Sequence, residues 1–309
     1  MKKIFEYKKL KYRYIKSWKT RWCLGFYSKQ SSLKINEGSS SLNYSQQCFE
    51  GVKCFKNKKI LNFRTNLNSY RFQKSCKFSL IPIINIFNFI KNIKILSILN
   101  KKYLPNIKIG FLYIRPLLIG EGKNIGVKTS KNFNFIIYST PIFFKKKLMC
   151  VKSIFTKRTI KNQGHYKIGS NYINNIYNNF IIKKYYFDDY IYINKFFFEE
   201  IGTSNIILIF NKKIYSPLNK NILPGINRIT YLFMFKFKKF FFKNNITFFI
   251  INNCKYILIC GTAANFKFIN IILFKNKILK YKINFSFFLI NFFFKKINKC
   301  LYKIKKWLF

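Results

Sequence analysis

Strand-like and helical stretches alternate in both halves of the 309-residue chain, and with its length they predict an α+β protein of two domains. Each half is long enough to bury a core of its own. The break is expected at 141–148, where Pro141 precedes the charged run KKK at 145–147, giving a small α+β domain over 1–140 and a larger domain over 149–309.

The elements follow in order. Residues 1 to about 40 read as a basic, aromatic lead-in that ends in the turn-like NEGSSS. From Leu42 a short apolar stretch leads to a Lys/Asn turn at 56–59, then to a helix after Arg64. The runs IKIGFLYIRPLLIG (107–120) and NFNFIIYSTPIFF (132–144) have the β-branched and aromatic content of strands. In the second half Ile173, Ile176, Tyr177, Phe180 and Ile181 recur at the spacing of an amphipathic helix. Strands YIYIN (190–194) and NIILIF (205–210) flank a turn at EEIGTS. Pro224-Gly225 opens another helix, whose first amides, those of Ile226, Asn227 and Arg228, suit an anion. No internal repeat is present, and the Phe/Lys/Ile stretch from about 267 adds no further pattern.

Lys and Arg total 59 against 8 Asp and Glu, a net charge of +51 that by itself suggests a phosphate-rich partner such as RNA. The rest of the composition attributes the charge to another cause. With 39 Phe, 21 Tyr, abundant Ile and Asn and only two alanines, the chain has the residues of A+T-rich codons, as in an endosymbiont or organelle genome. The opening MKKIFEYKK has no apolar core of signal-peptide length, and no run of 18 uncharged apolar residues occurs anywhere, so a cytoplasmic chain with no membrane span is expected. Eight scattered cysteines without a CxxC pair, and a single histidine, read as reduced thiols and argue against a metal site.

In so biased a chain the scarce residues are informative. Eight of the twelve glycines, both alanines, and Glu50, Glu121 and Glu200 fall in a few short segments, a clustering for which RNA binding gives no reason. These segments are LNYSQQCFEGVKCF, FRTNLNSYRFQKSC, YIRPLLIGEGKNIGV, YKIGSNY, EEIGTSNI, YSPLNKNILPGINR and GTAA, spanning about Leu42 to Asn265. In order and spacing they resemble the branched-chain amino acid aminotransferases, two-domain pyridoxal 5'-phosphate enzymes of fold type IV.

The resemblance implies a cofactor at the domain interface, with Lys167 of YKIGSNY as its Schiff-base lysine and Glu200 facing the pyridine nitrogen. It implies that Tyr172 bonds the ring oxygen, and that Arg64, the amides of Ile226 and Asn227, and Thr262 cradle the phosphate. Tyr44, Phe49, Tyr113 and Val127 would line the substrate pocket, Arg115 would meet the side-chain carboxylate of glutamate, and Thr203 and the Thr262–Ala263 backbone would hold the α-carboxylate. Ile125 and Val127 would reach into a second subunit's site, so a homodimer or higher homo-oligomer is expected. Small-molecule substrates are implied: branched-chain amino acids, glutamate and their 2-oxo acids.

Three departures stand out: Asn227 replaces a Thr or Val, Phe143 or Phe144 replaces a pocket tyrosine in a shortened loop, and His165 replaces a small residue and is read as structural. D-amino acid aminotransferase and aminodeoxychorismate lyase share the lysine, acid and phosphate site. They remain alternatives, as do a basic RNA-binding protein and an eroded enzyme that still folds.

Overall fold

The computed structural model describes residues 7–281, apart from 9, 30–31, 57–58, 124, 145–148, 155–158, 160–161, 195, 211–212, 237–240, 244 and 263–264. Two compact units divide between Phe144 and Lys145, and the segment Tyr166–Ser170 belongs to the first. Lys167 therefore sits among first-unit elements, although its sequence position suggested the second domain. The loop expected at 141–148 is strand as far as Phe143; residues 145–148 lie outside the described residues.

In the first unit β1 (Arg13–Trp18), β2 (Phe26–Ser28), β3 (Gln47–Phe49), β4 (Val52–Lys56), β5 (Ile60–Asn62), β6 (Gly110–Glu121) and β7 (Asn132–Phe143) form one antiparallel sheet. The order is β2-β1-β7-β6-β4-β5, with β3 also paired to β6. The basic, aromatic lead-in, for which no element was expected, contributes strands: Tyr14–Trp18 pair with Phe133–Ile137 of β7. Its lysines hid the strand, but Tyr14 and Ile15 are buried, which a half-buried edge region rewards. Besides the short α1 (Ser40–Asn43), the unit has α2 (Thr65–Phe78) and α3 (Ile86–Leu99). The side chain of Asn85 caps α3 by accepting from the Phe87 N–H. Phe72 of α2, Phe89 of α3 and Phe135 of β7 meet at ring separations of 5.3–6.2 Å and join the helices to the sheet.

The second unit contains β8 (Met149–Ile154), α4 (Ile173–Lys184), β9 (Asp189–Asn194), β10 (Phe197–Ile201), β11 (Ser204–Phe210), β12 (Lys213–Tyr215), α5 (Ile226–Lys236), β13 (Phe241–Lys243), α6 (Phe248–Asn253), β14 (Tyr256–Gly261), β15 (Asn265–Phe274) and β16 (Lys277–Lys280). Pairing runs β10-β9-β8-β15-β14-β11 and returns to β10, so these six strands close into a ring. Alternate residues of each strand face opposite sides. Ile191, Ile193, Ile206, Leu208, Ile257 and Ile259 share one core cluster; Ile207, Leu258 and Cys260 join Tyr231 of α5 in another.

Helix α4 forms where its periodicity predicts, but the opposite face is buried. Ile173, Ile176, Tyr177 and Phe180 are exposed, whereas Asn175, Asn178 and Ile182 are buried. The reason lies on β9, which presents Tyr190 and Tyr192 to the helix. Their hydroxyls need polar partners once buried: Tyr192 donates to Asn175 Oδ1 (2.6 Å), and Asn175 Nδ2 donates to the Gly202 carbonyl (3.1 Å). Among the described residues no helix is long and apolar enough to cross a membrane.

Two outcomes are expected. Asn175→Ala, which removes the shortest bond of the Tyr192 hydroxyl and the tie to the Gly202 carbonyl, will cost about 2 kcal/mol in urea unfolding, and Ile176→Asn less than about 0.5 kcal/mol; the reverse ranking would restore the buried apolar face. Burial pushes the Asp189 carboxyl up to about 6 from its model-peptide 3.8, so the folded chain favours the protonated acid and loses stability as pH rises between those values. Asp189→Asn will therefore raise stability by about 1–2 kcal/mol at pH 7–8, with the gain vanishing below about pH 4, in thermal melts across that range.

Candidate active site

In the first unit the neighbours of Lys167 are set by β3 and α2. Ile168 bridges to Cys48, which lays the lysine segment beside β3. The Phe49 N–H donates to the Lys167 carbonyl (3.0 Å), and the Lys167 N–H donates to Ser75 Oγ on α2 (2.9 Å). The ammonium lies 4.9 Å from the centre of the Phe49 ring, and the Arg115 guanidinium lies 4.5 Å from the same ring. Tyr113, two residues earlier on β6 and hence on the same sheet face, accepts from Arg115 Nε (3.2 Å) and Nη2 (2.8 Å). Its hydroxyl occupies space that a Cβ on residue 51 would fill, so any larger residue than Gly51 there would displace the Tyr113 ring.

Next to Phe49, Glu50 is fully buried and paired with Arg71 of α2 through Nε–Oε1 (2.6 Å) and Nη2–Oε2 (2.8 Å). Asn68 Nδ2 (2.9 Å) and the Gly51 N–H (3.0 Å) also donate to Oε2. Burial alone would raise this carboxyl; the Arg71 guanidinium outweighs it, with Lys167 and Asn68 adding, and holds Glu50 below the usual carboxylate range.

Arg64 precedes α2 in the left-handed conformation, φ 48°, a strained setting for a non-glycine residue. Beside it Thr65 Oγ1 is buried without a hydrogen-bond partner. A cation and a buried hydroxyl at the start of a 14-residue helix are a donor set that fits a phosphate. Tyr44 bonds through its hydroxyl to the Ile125 carbonyl, while the side chains of Ile125 and Val127 are exposed.

In the second unit Glu200 is buried in β10, not in the turn its sequence suggested; Gly202 and Thr203 alone make that turn. Strand pairing with Asn205 of β11 carries the acid inside. Asn205 Nδ2 (2.7 Å) and the Leu223 N–H (3.0 Å) donate to Glu200 Oε1, and Asn205 also donates to the Leu223 carbonyl (2.9 Å). Gly225 follows, where a Cβ would collide with Asn205 Oδ1, and then α5 begins with buried Ile226 and Asn227. Asn227 Nδ2 donates to the Gly261 carbonyl (2.7 Å), which brings Thr262 beside the start of α5. A buried acid, a helix N-terminus and a hydroxyl turn are therefore linked by hydrogen bonds, a donor set suited to a protonated ring nitrogen and a phosphate.

The remaining expected residues are less bound to these clusters. Thr203 is exposed, Tyr172 is half-buried, and Ala263 lies outside the described residues. His165 Nε2 lies 2.7 Å from the Asn219 carbonyl. Phe143 is exposed and Phe144 meets the Phe111 ring at 5.8 Å. Sequence reading singled out Glu50 only as a scarce acid and Arg228 only for its backbone amide, and missed Arg71, Ser75 and Asn205. Arg228 is buried and donates to Ser216 Oγ (2.6 Å) and carbonyl (3.0 Å). No local spacing marks these residues, because each acts across sheet and helix.

Residues 47–270 match the family described as amino-transferase class IV. The chain is 32% identical over 239 residues to a branched-chain-amino-acid aminotransferase of Helicobacter pylori, covering 72% of this chain and 70% of that one. A Haemophilus influenzae protein of the same name is 33% identical over 250 residues, covering 75% and 73%. The fold matches a branched-chain aminotransferase from Thermoproteus uzoniensis solved with norvaline, with TM-score 0.78, 20% identity and coverage of 96% and 97% of the two chains. The Escherichia coli enzyme matches with TM-score 0.70 at 19% identity over 85% and 86%. The expected fold type IV architecture is the observed one, and the chain belongs to the class IV aminotransferases, a family of pyridoxal 5'-phosphate enzymes.

Proposed function

We propose that the chain transfers the amino group between leucine, isoleucine or valine and 2-oxoglutarate, with Lys167 as the reacting lysine. The observation that carries the reading is the Phe49 ring, which has the Lys167 ammonium at 4.9 Å and the Arg115 guanidinium at 4.5 Å. An apolar wall with one cation suits both a branched alkyl chain and the carboxylate of glutamate. The relatives named as branched-chain aminotransferases support the same substrates.

Bound pyridoxal phosphate supplies an electron sink for the pair left at the substrate Cα. With that group bound, Lys167 would hold it, and its Nζ would move the proton of the substrate Cα. Glu200 would keep the cofactor's pyridine nitrogen protonated, and Tyr172 would bond its ring oxygen. Arg64, the amides of Ile226 and Asn227, and the Thr262 hydroxyl would hold its phosphate. Tyr44, Phe49 and Tyr113 exclude water around the side chain, together with Val127 reaching in from a second copy. Arg115 takes the distal carboxylate; Thr203 and the Thr262–Ala263 backbone take the α-carboxylate. Ile125 and Val127, 91% and 87% exposed, are available to a second copy, which supports a homodimer as the working unit. This reading needs neither nucleic acid nor membrane, and places the chain in the cytoplasm of an A+T-rich endosymbiont or organelle.

Purified protein mixed with pyridoxal phosphate is expected to develop a visible absorption band that leucine bleaches and that Lys167→Ala lacks. A band retained in Lys167→Ala removes this lysine from the chemistry; a band bleached by D-alanine but not leucine transfers the reading to the D-amino acid enzyme. Arg115→Gln is expected to raise KM for 2-oxoglutarate by roughly tenfold or more while leaving KM for leucine within about threefold, since only the dicarboxylate loses a charged hydrogen bond. Equal changes for both substrates would place Arg115 outside the distal carboxylate's reach.

A further inference from the structure

We propose that the buried Glu50–Arg71 pair is a positioning device for Lys167, closing a ring of bonds that holds both backbone groups of the lysine. Starting at Lys167, its N–H donates to Ser75 Oγ (2.9 Å), and the Ser75 hydroxyl donates to the Arg71 carbonyl (3.2 Å). The Arg71 side chain then grips Glu50 with two parallel bonds of 2.6 and 2.8 Å. Glu50 adjoins Phe49, whose N–H donates to the Lys167 carbonyl (3.0 Å) and returns the ring to its start. Every covalent step in this ring lies within one residue or between neighbours, so a shift of α2 against β3 must stretch at least one bond.

The pair has features of a fixed anchor. Glu50 is fully buried and Arg71 nearly so, and a fork of two charged bonds sets orientation as well as distance. Asn68, one turn before Arg71 on α2, donates to the same carboxylate and to the Gly51 carbonyl (2.9 and 3.1 Å). The Glu50 N–H donates to the Pro116 carbonyl (2.8 Å), so the acid is also tied to β6, the strand that carries Tyr113 and Arg115. Buried Cys48 and Cys76, with sulfurs 3.5 Å apart, make a weaker neutral contact between the same strand and helix. What the ring fixes is the base of the Lys167 side chain. Its tip lies over Phe49, the residue that supplies one of the two backbone bonds. Glu50 and Arg71 touch neither substrate nor cofactor in this account; they act through β3 and α2. The proposal rests on the reading of Lys167 as the reacting lysine.

The test uses the full chain and the double variant Glu50→Gln/Arg71→Met, which removes both charges together and leaves neither ion buried alone. Its melting temperature is expected to stay within a few degrees of the parent. In the cofactor-free protein, hydrogen exchange at the amides of Lys167 and Phe49 is expected to quicken by about tenfold relative to other core amides. With cofactor, kcat for leucine is expected to fall by about tenfold while KM changes less than about threefold, because a misplaced lysine slows proton transfer more than binding. Parent-like exchange and kcat in the folded double variant would overturn the proposal. If that variant does not fold, Arg71→Lys serves: it keeps the charge but not the fork, so intermediate exchange at the same two amides is expected, and unchanged exchange overturns the proposal. The exchange measurement does not depend on which lysine reacts; failure of the Lys167 reading shows separately, as an absorption band retained in Lys167→Ala.

Discussion

A carboxylate shut away from water must be surrounded by donors, and this constraint organises both units. The chain carries only eight acids, yet Glu50, Glu199 and Glu200 are all buried. Glu50 collects a guanidinium, an amide side chain and a backbone N–H, and in doing so fastens α2 to β3. Glu200 collects Asn205 and the Leu223 N–H, which draws the Pro-Gly turn before α5 against the strands. Glu199 accepts from Asn194 and Asn219, tying the connection before that turn to β9. The elements that bear the candidate active-site residues are held by the acids that lie between them.

The second organising feature is how a biased composition is accommodated. Amides and tyrosines fill positions between helix and sheet, as where α4 lies on β9. There Asn175 and the Tyr190 and Tyr192 hydroxyls satisfy one another, leaving the apolar stripe of the helix in solvent. Aromatic rings do the same service in the first unit, where Phe72, Phe89 and Phe135 fill the space between two helices and a sheet. Phe49 sets such a ring between two cations, and both gain from its face.

Much of the fold was legible locally. The helix after Arg64, the long paired strands from Gly110 and Asn132, the strands around Gly202 and the helix after Pro224-Gly225 all form where composition and periodicity put them. Those features depend on neighbours in sequence: β-branched runs, turn glycines, a proline before a helix. The lead-in strand β1 was not legible, because the lysines around it mask a pairing supplied by β7, more than a hundred residues later. The buried side of α4 was hidden for the same reason, since periodicity locates two faces and the partner decides which one is covered.

By itself the sequence determined the order of the elements, the scarce residues at the candidate site and the family to which they point, because glycines, acids and a lysine motif keep their spacing whatever surrounds them. Tertiary structure alone decided that Lys167 lies with the first unit, that Glu200 sits inside a strand, and that Arg71, Ser75 and Asn205 bond to Glu50, Lys167 and Glu200. The physical reason is that a hydrogen bond or ion pair across a sheet or from helix to strand joins residues with no fixed separation in sequence, so only the folded chain brings donor and acceptor together.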